Sequence, residues 1–223
     1  MIDNIVLVTS IINTPNNIPW SYSTIRSVFN REERFEQTKQ TIKSIKELIP
    51  NYKIIIVECT DFTEEEMTFF FEECDYVLNL WERSDLHNAF FGKSKSLGEG
   101  TMTIEAIKYL QDKKIKFNNL FKISGRYWLS ERFNYNNFNN NKLICHKINN
   151  NTGNIDTWLY KMPYSFINIW KEFLFNNRVS MINCIGYEVL FGNFLKYINY
   201  NEVMFYETMG CKGINAVGSI IDK

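Results

Sequence analysis

Short apolar runs and longer segments with helical periodicity alternate along the first 130 residues. The apolar runs cover residues 5–8, 53–57, 75–80 and 120–123. Each is short and rich in aliphatic or aromatic residues, as buried strands of a parallel sheet are. Helical spacing of apolar positions follows Arg31, and helical segments also follow Thr63 and Lys95. This β-α-β-α-β-α-β order predicts an α/β fold whose mainly parallel sheet carries helices on its faces.

The second half of the chain has a weaker pattern. Residues 142–148 and 156–161 are predicted strands, and residues 164–175 and 186–197 are predicted helices. Loops are expected at 13–24 and 134–141, with a turn at 149–154. Because no repeat and no flexible linker is evident, we expect one domain over 1–223, with lobes at 1–130 and 131–223.

Composition limits the class of protein. The chain has 223 residues, of which 45% are hydrophobic and 16% aromatic, which indicates a well-buried core. The formal net charge is zero, which argues against a nucleic-acid partner. No apolar run approaches the roughly 20 residues of a membrane span.

Cysteine usage points to a reducing compartment. The five cysteines are scattered and form no C-x-x-C pair, and the first residues show no basic segment followed by a cleavage site. We therefore expect reduced thiols in a cytoplasmic protein. His87 and His146 are the only histidines, so zinc sites and histidine-based triads are not favoured.

Polar side chains gather where predicted strands end and predicted helices begin. The ligands of an open α/β sheet bind beyond the carboxyl ends of its strands, so these residues are expected to share one site. Lysines at a helix amino terminus, together with an arginine, suit a diphosphate. The residues are Thr9, Ser10, Glu58, Lys93, Lys95, Gly98, Glu99, Ser124, Gly125, Arg126 and Tyr127.

Several common motifs are absent from the sequence. There is no Gly-rich P-loop, no G-x-G-x-x-G after the first strand, no G-x-S-x-G and no H-E-x-x-H. These absences lower the expectation of most kinases, dehydrogenases, α/β-hydrolases and zinc proteases.

Three segments together carry a family resemblance. E-R-F-x-Q-T-x-x-T-I-x-S-I at 33–45 precedes an apolar strand that ends at Glu58, and K-S-L-G-E at 95–99 and K-I-S-G-R-Y at 122–127 follow. In this order and spacing the chain resembles small glycosyltransferases of the GT-A type, which act on bacterial surface glycans and on capsid glycans of large DNA viruses. The resemblance covers most of the chain and is strongest in 1–130.

The resemblance implies a fold and a reaction. The fold would be a GT-A-like, Rossmann-related three-layer α/β/α domain. The donor would be a nucleotide-diphosphate sugar, with a UDP-sugar favoured, and the enzyme a hexosyl- or deoxyhexosyltransferase. The acceptor would be a glycan or glycoprotein, and a viral member would work in the host cytoplasm or with the virion.

The resemblance also assigns donor-binding roles. Thr9, Ser10 and Glu58 would lie near the base and ribose, and Lys95 would face the donor. Arg34 joins this set, although its helix face could be only a polar surface. The remaining residues of the strand-end and helix-start set given above would bind the donor with them.

One departure from the family pattern concerns the metal. Ser124-Gly125-Arg126 stands where the acidic D-x-D motif would hold a metal on the diphosphate. Our hypothesis is that Arg126, with Lys93 or Lys95, replaces that metal, because fixed cations can stabilise a leaving diphosphate. The alternative is Mn²⁺ or Mg²⁺ held by other carboxylates, namely Glu58, Asp156 or Glu207.

The second lobe offers candidates for a catalytic base. Glu188 opens an otherwise apolar helix and is the first candidate, and Asp156 is the second. Simpler alternatives are a helix-terminal charge at Glu188 and an ion pair of Arg126 with Glu99 or Glu131.

Two other functions stay open beside glycosyl transfer. A degenerate transferase would bind a nucleotide sugar without catalysis. A nucleotidyltransferase would need an early Gly-rich loop and metal-binding carboxylates, and residues 9–24 offer neither.

Overall fold

The computed structural model describes residues 2–15, 18–147, 153–198, 200–215 and 218–223. Strands and helices alternate through the first half of these residues, as the apolar pattern predicts. The strands are β1 (Ile2–Thr9), β2 (Tyr52–Glu58), β3 (Tyr76–Asn79), β4 (Phe117–Ser124), β5 (Tyr127–Leu129), β6 (Leu143–His146), β7 (Leu159–Pro163), β8 (Val203–Tyr206), β9 (Cys211–Ile214) and β10 (Ile220–Asp222). The helices are α1 (Arg31–Leu48), α2 (Glu64–Glu73), α3 (His87–Phe91), α4 (Lys95–Asp112), α5 (Tyr164–Asn176), α6 (Arg178–Ile182) and α7 (Tyr187–Tyr197).

Seven strands form the central sheet in the order β3-β2-β1-β4-β7-β6-β8. The four strands from β3 to β4 are parallel to one another, and β6 is parallel to β8. Only β7 runs antiparallel to both of its neighbours. A small second sheet, β10-β9-β5, packs against α1. The expected α/β fold with a mostly parallel central sheet is confirmed.

Alternate residues of the strands feed two hydrophobic cores, one on each face of the sheet. In β1, Ile5 and Leu7 enter the core beneath α4, α5, α6 and α7, and Val6 and Val8 enter the core beneath α1 and α2. All four side chains are fully buried. Burial on both faces explains why the strands are continuous apolar runs rather than alternating ones.

The strand register brings the carboxyl ends of the strands to one edge of the sheet. Thr9 lies between Val57 of β2 and Ser124 of β4. Because β7 is antiparallel to β4, its first residue, Leu159, lies opposite Ile123 near this edge. We call this side the carboxyl edge, and the polar residues singled out in the sequence are concentrated there.

The differences from the sequence expectation concern element bounds and short elements. Strands β1 and β4 each begin three residues before the predicted run and end one residue after it. The third strand spans Tyr76–Asn79, the sixth Leu143–His146 and the seventh Leu159–Pro163, each within three residues of its predicted bounds at either end. Helix α3, helix α6 and the strands β5, β8, β9 and β10 were not predicted, because segments of three to five residues leave no clear period. Residues 16, 17 and 148–152, in the predicted loop, strand end and turn, lie outside the described residues.

No helix among the described residues is long and apolar enough to cross a membrane. The division into two lobes stays a prediction.

We predict that Gly125→Ala destabilises the protein by about 1–3 kcal/mol, the usual cost of forcing atoms into a packed site. A Cβ at residue 125 would lie 2.8 Å from Cβ of Ser10 and 3.1 Å from Oγ1 of Thr38. Urea unfolding measures the change. Gly186→Ala is the control, because its Cβ would meet Oε2 of Glu188 at 3.4 Å. Equal small losses in both variants would contradict the close packing at Gly125.

Candidate active site

A cleft opens at the carboxyl edge between the end of β1, the start of α4 and the turn after β4. It is open to solvent, and we call it the first cleft. Nine residues selected from the sequence line it. They are Thr9, Ser10, Arg34, Lys95, Gly98, Glu99, Ser124, Gly125 and Arg126.

A second cleft lies next to the first, between the start of α4 and the start of α7. Tyr22, Tyr187 and Glu188 contribute to its lining. Lys95 and Glu99 line both clefts and therefore form the wall between them.

Backbone hydrogen bonds hold the turn after β4 against the end of β1. The Gly125 N–H donates to the Thr9 carbonyl at 2.9 Å, and Thr38 Oγ1 donates to the Gly125 carbonyl at 3.0 Å. Ser10 Oγ lies 3.1 Å from Thr38 Oγ1. The absence of a side chain at residue 125 permits this close approach, which fixes where the chain places Arg126.

Arg126 has an unused hydrogen-bond donor beside the first cleft. Its Nη1 is buried and has no hydrogen-bond partner. No ion pair to Arg126 occurs in the described part of the chain, since Glu131 pairs with Lys212 at 2.7 Å and Glu99 pairs with Lys122. Burial lowers the pKa of Arg126, the direction expected for a cation without a close partner. The ion pairs suggested for Arg126 in the sequence are therefore absent from this arrangement.

Lys122 carries a fully buried ammonium group beneath the wall between the clefts. Its Nζ donates to Glu99 Oε1, to Ser124 Oγ at 2.8 Å and to the Thr157 carbonyl at 2.8 Å. Burial lowers the pKa of Lys122, although Glu99 acts in the opposite direction. Burial also opposes ionisation of Glu99, but the charges of Lys122 and Lys95 outweigh it and lower the pKa of Glu99.

Sequence reasoning missed Lys122 as a site residue. The one available signal was a lysine inside the apolar run 120–123, where a strand buried on both faces leaves no exposed side.

Lys95 and Glu188 face each other across the second cleft. Lys95 Nζ lies 3.9 Å from Glu188 Oε1, and 41% and 37% of the two side chains are exposed. Burial works against the charge on Lys95, but Glu188 and Glu99 outweigh it and raise the pKa of Lys95. The two groups are close enough to attract and exposed enough to exchange partners.

Arg34 is a buried cation at the far wall of the first cleft. Its Nε donates to the Ile11 carbonyl at 2.7 Å, and its Nη1 donates to Ser27 Oγ at 3.3 Å. Burial, reinforced by repulsion from Arg126, lowers the pKa of Arg34 to about 9. Arg34 therefore joins α1 to the loop after β1 as well as lining the cleft.

Arg26 and Trp20 also line the first cleft, although no motif in the sequence points to them. The Arg26 guanidinium lies 3.9 Å from the centre of the Trp20 ring. It donates to the carbonyls of Phe90, at 3.0 Å, and Gly92. These bonds fasten the loop before α1 to the C-terminal end of α3.

Three candidate donor-binding residues do not line either cleft. Glu58 is fully buried, and its carboxylate accepts hydrogen bonds from Thr60 Oγ1 at 2.6 Å and from the Ile12 N–H at 2.8 Å. The Lys93 side chain is exposed outside the two linings. Tyr127 is buried in the core against Trp158, with ring centres 6.1 Å apart.

Asp156 lies outside both cleft linings, near the end of β6. Its Oδ2 is 2.8 Å from Nδ1 of His146, and this contact lowers the pKa of Asp156. The carboxylate of Glu207 is exposed and pairs with Lys147 at 2.6 Å. Both acids therefore already have basic neighbours.

The described residues do not form a divalent metal site by themselves. They contain no group of three His, Cys, Asp or Glu side chains placed to hold an ion. At the end of β4, where the D-x-D motif was expected, the cleft presents Ser124, Gly125 and Arg126. A guanidinium there repels the cation that a pair of carboxylates would attract.

Solved structures that are similar to this chain include the following three. A CTP:phosphocholine cytidylyltransferase from Streptococcus pneumoniae has a TM-score of 0.54 at 11% identity, with 96% of this chain and 94% of its own covered. Core-mannan synthase A from Aspergillus fumigatus, in an Mn/GDP form, has a TM-score of 0.54 at 9% identity. The match covers 92% of this chain and 72% of the synthase chain.

A glycosyltransferase involved in the glycosylation of the major capsid of PBCV-1 has a TM-score of 0.49 at 9% identity. The match covers 92% of this chain and 81% of that glycosyltransferase chain. No family model and no curated protein matches the sequence. At these identities the two likenesses at 0.54 show a common fold, and the expected GT-A-like fold is confirmed.

We predict that Lys122→Met destabilises the protein by about 3–5 kcal/mol at pH 7, because it leaves the Glu99 carboxylate buried without its partner. The pKa of Glu99 is lowered in the folded protein, so the pair stabilises above the ordinary carboxyl pKa and loses its effect as pH falls through the lowered one. In the variant the pKa of Glu99 rises, and acid protonates it. The loss measured by urea unfolding should therefore shrink towards pH 4.

The double variant Lys122→Met with Glu99→Gln is the control. It should recover part of the lost stability at pH 7, because no unpaired charge remains. A loss of the same size at pH 4 and pH 7 would contradict the ion-pair account.

Proposed function

We propose that this protein transfers a glycosyl unit from a nucleotide-diphosphate sugar to a glycan acceptor. The proposal rests on Arg126 and Lys95, two cations that line one cleft at the carboxyl edge. The Nη1 atom of Arg126 has no hydrogen-bond partner among the described residues. An anionic ligand is the natural complement of such a cleft. The GT-A-like fold and the sequence resemblance favour a sugar nucleotide as that ligand.

The donor occupies the first cleft. Its diphosphate lies between Arg126 and Lys95, and the nucleoside extends towards Thr9, Ser10 and Arg34. Among nucleotides, a UDP-sugar is the favoured donor. Glu99, held by Lys122, faces the transferred sugar as a fixed hydrogen-bond acceptor.

The cations take the part that a metal plays in related chemistry. As the bond between the anomeric carbon and the diphosphate breaks, negative charge develops on the leaving phosphate oxygen. Fixed cations at that position stabilise the charge without reorganisation. Arg126 at the position of the D-x-D motif supports a metal-independent reaction, because its charge repels a divalent ion.

The acceptor occupies the second cleft, with Glu188 as the base. The acceptor hydroxyl oxygen forms the new bond to the anomeric carbon, its proton passes to Glu188, and the nucleoside diphosphate departs. Because Lys95 faces both clefts, a bound diphosphate draws it away from Glu188 and leaves that carboxylate free to take the proton of the acceptor hydroxyl. This arrangement corresponds to inversion at the anomeric carbon.

Nucleotidyl transfer is the second candidate function, because the cytidylyltransferase aligns over nearly the whole of both chains. The products separate the two reactions. A nucleotidyltransferase releases pyrophosphate from a nucleoside triphosphate, whereas a glycosyltransferase releases a nucleoside diphosphate from a sugar nucleotide. A protein that binds the sugar nucleotide but neither transfers nor hydrolyses it would be a binding module.

We predict that Arg126→Ala weakens UDP-sugar binding by about 10- to 100-fold, since a hydrogen bond to a charged group contributes about 1.5–3 kcal/mol. Thermal shift measures binding with UDP-, GDP-, TDP- and CMP-sugars, and a bound donor raises the melting temperature of the wild type. Arg132→Ala is the matched control, because Arg132 is 55% exposed and pairs with Asp222 at 3.5 Å.

Addition of EDTA should leave wild-type transfer unchanged. A full loss of activity that Mn²⁺ restores would refute the metal-independent reaction. An unchanged donor affinity in Arg126→Ala would refute the proposed diphosphate site.

We predict that Glu188→Gln keeps donor affinity and lowers kcat by about 10²- to 10⁴-fold, the usual contribution of a general base. Steady-state transfer kinetics and thermal shift provide the two readouts. Glu172→Gln is the control, because 53% of the Glu172 side chain is exposed on α5 outside both cleft linings. Near-normal turnover in Glu188→Gln, together with a large loss of turnover in Asp156→Asn, would identify Asp156 as the base instead.

A further inference from the structure

Tyr22 lies at the tip of a tight turn beside the second cleft. A bridge between Trp20 and Ser23 closes the turn, and the Ser23 N–H donates to the Trp20 carbonyl at 3.4 Å. Tyr22 is 67% exposed. The two residues at the tip, Ser21 and Tyr22, line the second cleft and do not line the first. The turn therefore presents an open aromatic ring to the cleft in which the acceptor binds.

Hydrogen bonds on both sides hold this turn in place. The Ser21 N–H donates to the Lys93 carbonyl at 3.0 Å, just before α4 begins. Trp20 Nε1 donates to the Arg26 carbonyl at 3.1 Å, and the Arg26 guanidinium is itself bound to the C-terminal end of α3. A side chain on a turn that is already fixed loses little freedom when a ligand covers it, which favours binding.

The hydroxyl is the enclosed end of the Tyr22 side chain. Burial raises the pKa of Tyr22, and four charged side chains of the two clefts also act on it, in opposing directions. They are Lys95, Glu188, Arg126 and Glu99. Since the hydroxyl is directed towards these groups, the exposed area of Tyr22 belongs mainly to its ring.

The charges at the second cleft are balanced. Lys95 lies 3.9 Å from Glu188, and Glu99 is paired with Lys122 beneath the wall. When a diphosphate in the first cleft draws Lys95 away, as proposed above, Glu188 makes the second cleft negative. Such a cleft favours a neutral ligand and repels an anionic one.

We propose that the second cleft binds a neutral pyranose as the acceptor sugar, with the Tyr22 ring against the apolar C–H face of that sugar. Tyrosine supplies a large contact area at a low entropic cost. With one face of the sugar on the ring, its hydroxyl groups face the polar side of the cleft, where Glu188 accepts the proton. The ring thus selects a sugar over an acceptor without an apolar ring face, such as a serine of a peptide. This inference rests on the proposed function.

Saturation-transfer-difference NMR tests the proposal with methyl β-D-glucoside, methyl β-D-galactoside and methyl α-D-mannoside, each with and without UDP. We expect the wild type to saturate at least one of these glycosides, most strongly at the protons of one ring face. Tyr22→Ala should weaken its binding by about tenfold, the scale of one lost aromatic contact, whereas Tyr22→Phe keeps the ring and should lose less than about threefold. Tyr197→Ala is the matched control, because Tyr197 is 74% exposed on α7 outside both cleft linings.

Methyl β-D-glucuronide tests the preference for a neutral sugar. It carries a carboxylate where methyl β-D-glucoside has a hydroxymethyl group, and the two are otherwise identical. We expect the glucuronide to bind more weakly than the glucoside, most clearly with UDP present, because Glu188 then repels the added charge.

Three results would overturn the acceptor-sugar proposal. They are no saturation of any of the three glycosides by the wild type, equal glycoside binding in the wild type and Tyr22→Ala, or a glucuronide that binds at least as tightly as the glucoside. If Tyr22→Ala lowers the melting temperature of the free protein, Tyr22→Leu replaces it in the same assay. A donor thermal shift without glycoside binding refutes the acceptor sugar alone. Glycoside binding that depends on Tyr22, without any donor shift, leaves the neutral-sugar site in place and refutes the proposed function.

Discussion

The buried ion pair between Lys122 and Glu99 is the interaction on which the candidate site depends. Lys122 lies in the interior of the central sheet, and its ammonium group joins α4 to the loop before β7 through Glu99 and the Thr157 carbonyl. A buried ammonium requires such partners, because removal from water is otherwise too costly. The pair therefore fixes the position of Glu99, and with it the wall that the two clefts share.

The charged side chains at the wall form two pairs, and Arg126 beside them has no carboxylate partner among the described residues. Lys122 is paired with Glu99, and Lys95 lies near Glu188, so these four charges cancel. The buried Nη1 of Arg126 also has no hydrogen-bond partner among the described residues. Arg26 and Arg34 also line the first cleft, so its cations outnumber its carboxylates, and Lys95 can change partner. Such a cleft is suited to an anion that arrives and leaves. A purely structural ion pair would not leave that donor free.

The sequence predicted the fold and much of the cleft, because both follow from local patterns. Buried parallel strands are apolar runs, and the polar residues that end them meet at one edge, as Thr9 and Ser124 do. Burial of individual side chains depends on tertiary packing, which the sequence does not encode locally. Glu58 was expected in the cleft but is held by nearby donors, and Lys122 was not expected there at all.

The candidate metal-binding acids already have hydrogen-bond or ion-pair partners, which explains why a cation suits the end of β4. A divalent metal on a diphosphate needs at least one free carboxylate beside the phosphate oxygens. Here Glu58 is bound by backbone and hydroxyl donors, Glu99 by Lys122, and Asp156 lies against His146. A metal would have to displace those partners, at a cost in stability, before it reached the diphosphate. Arg126 reaches the same edge of the sheet by chain connectivity alone, so its charge is in place whenever the protein is folded.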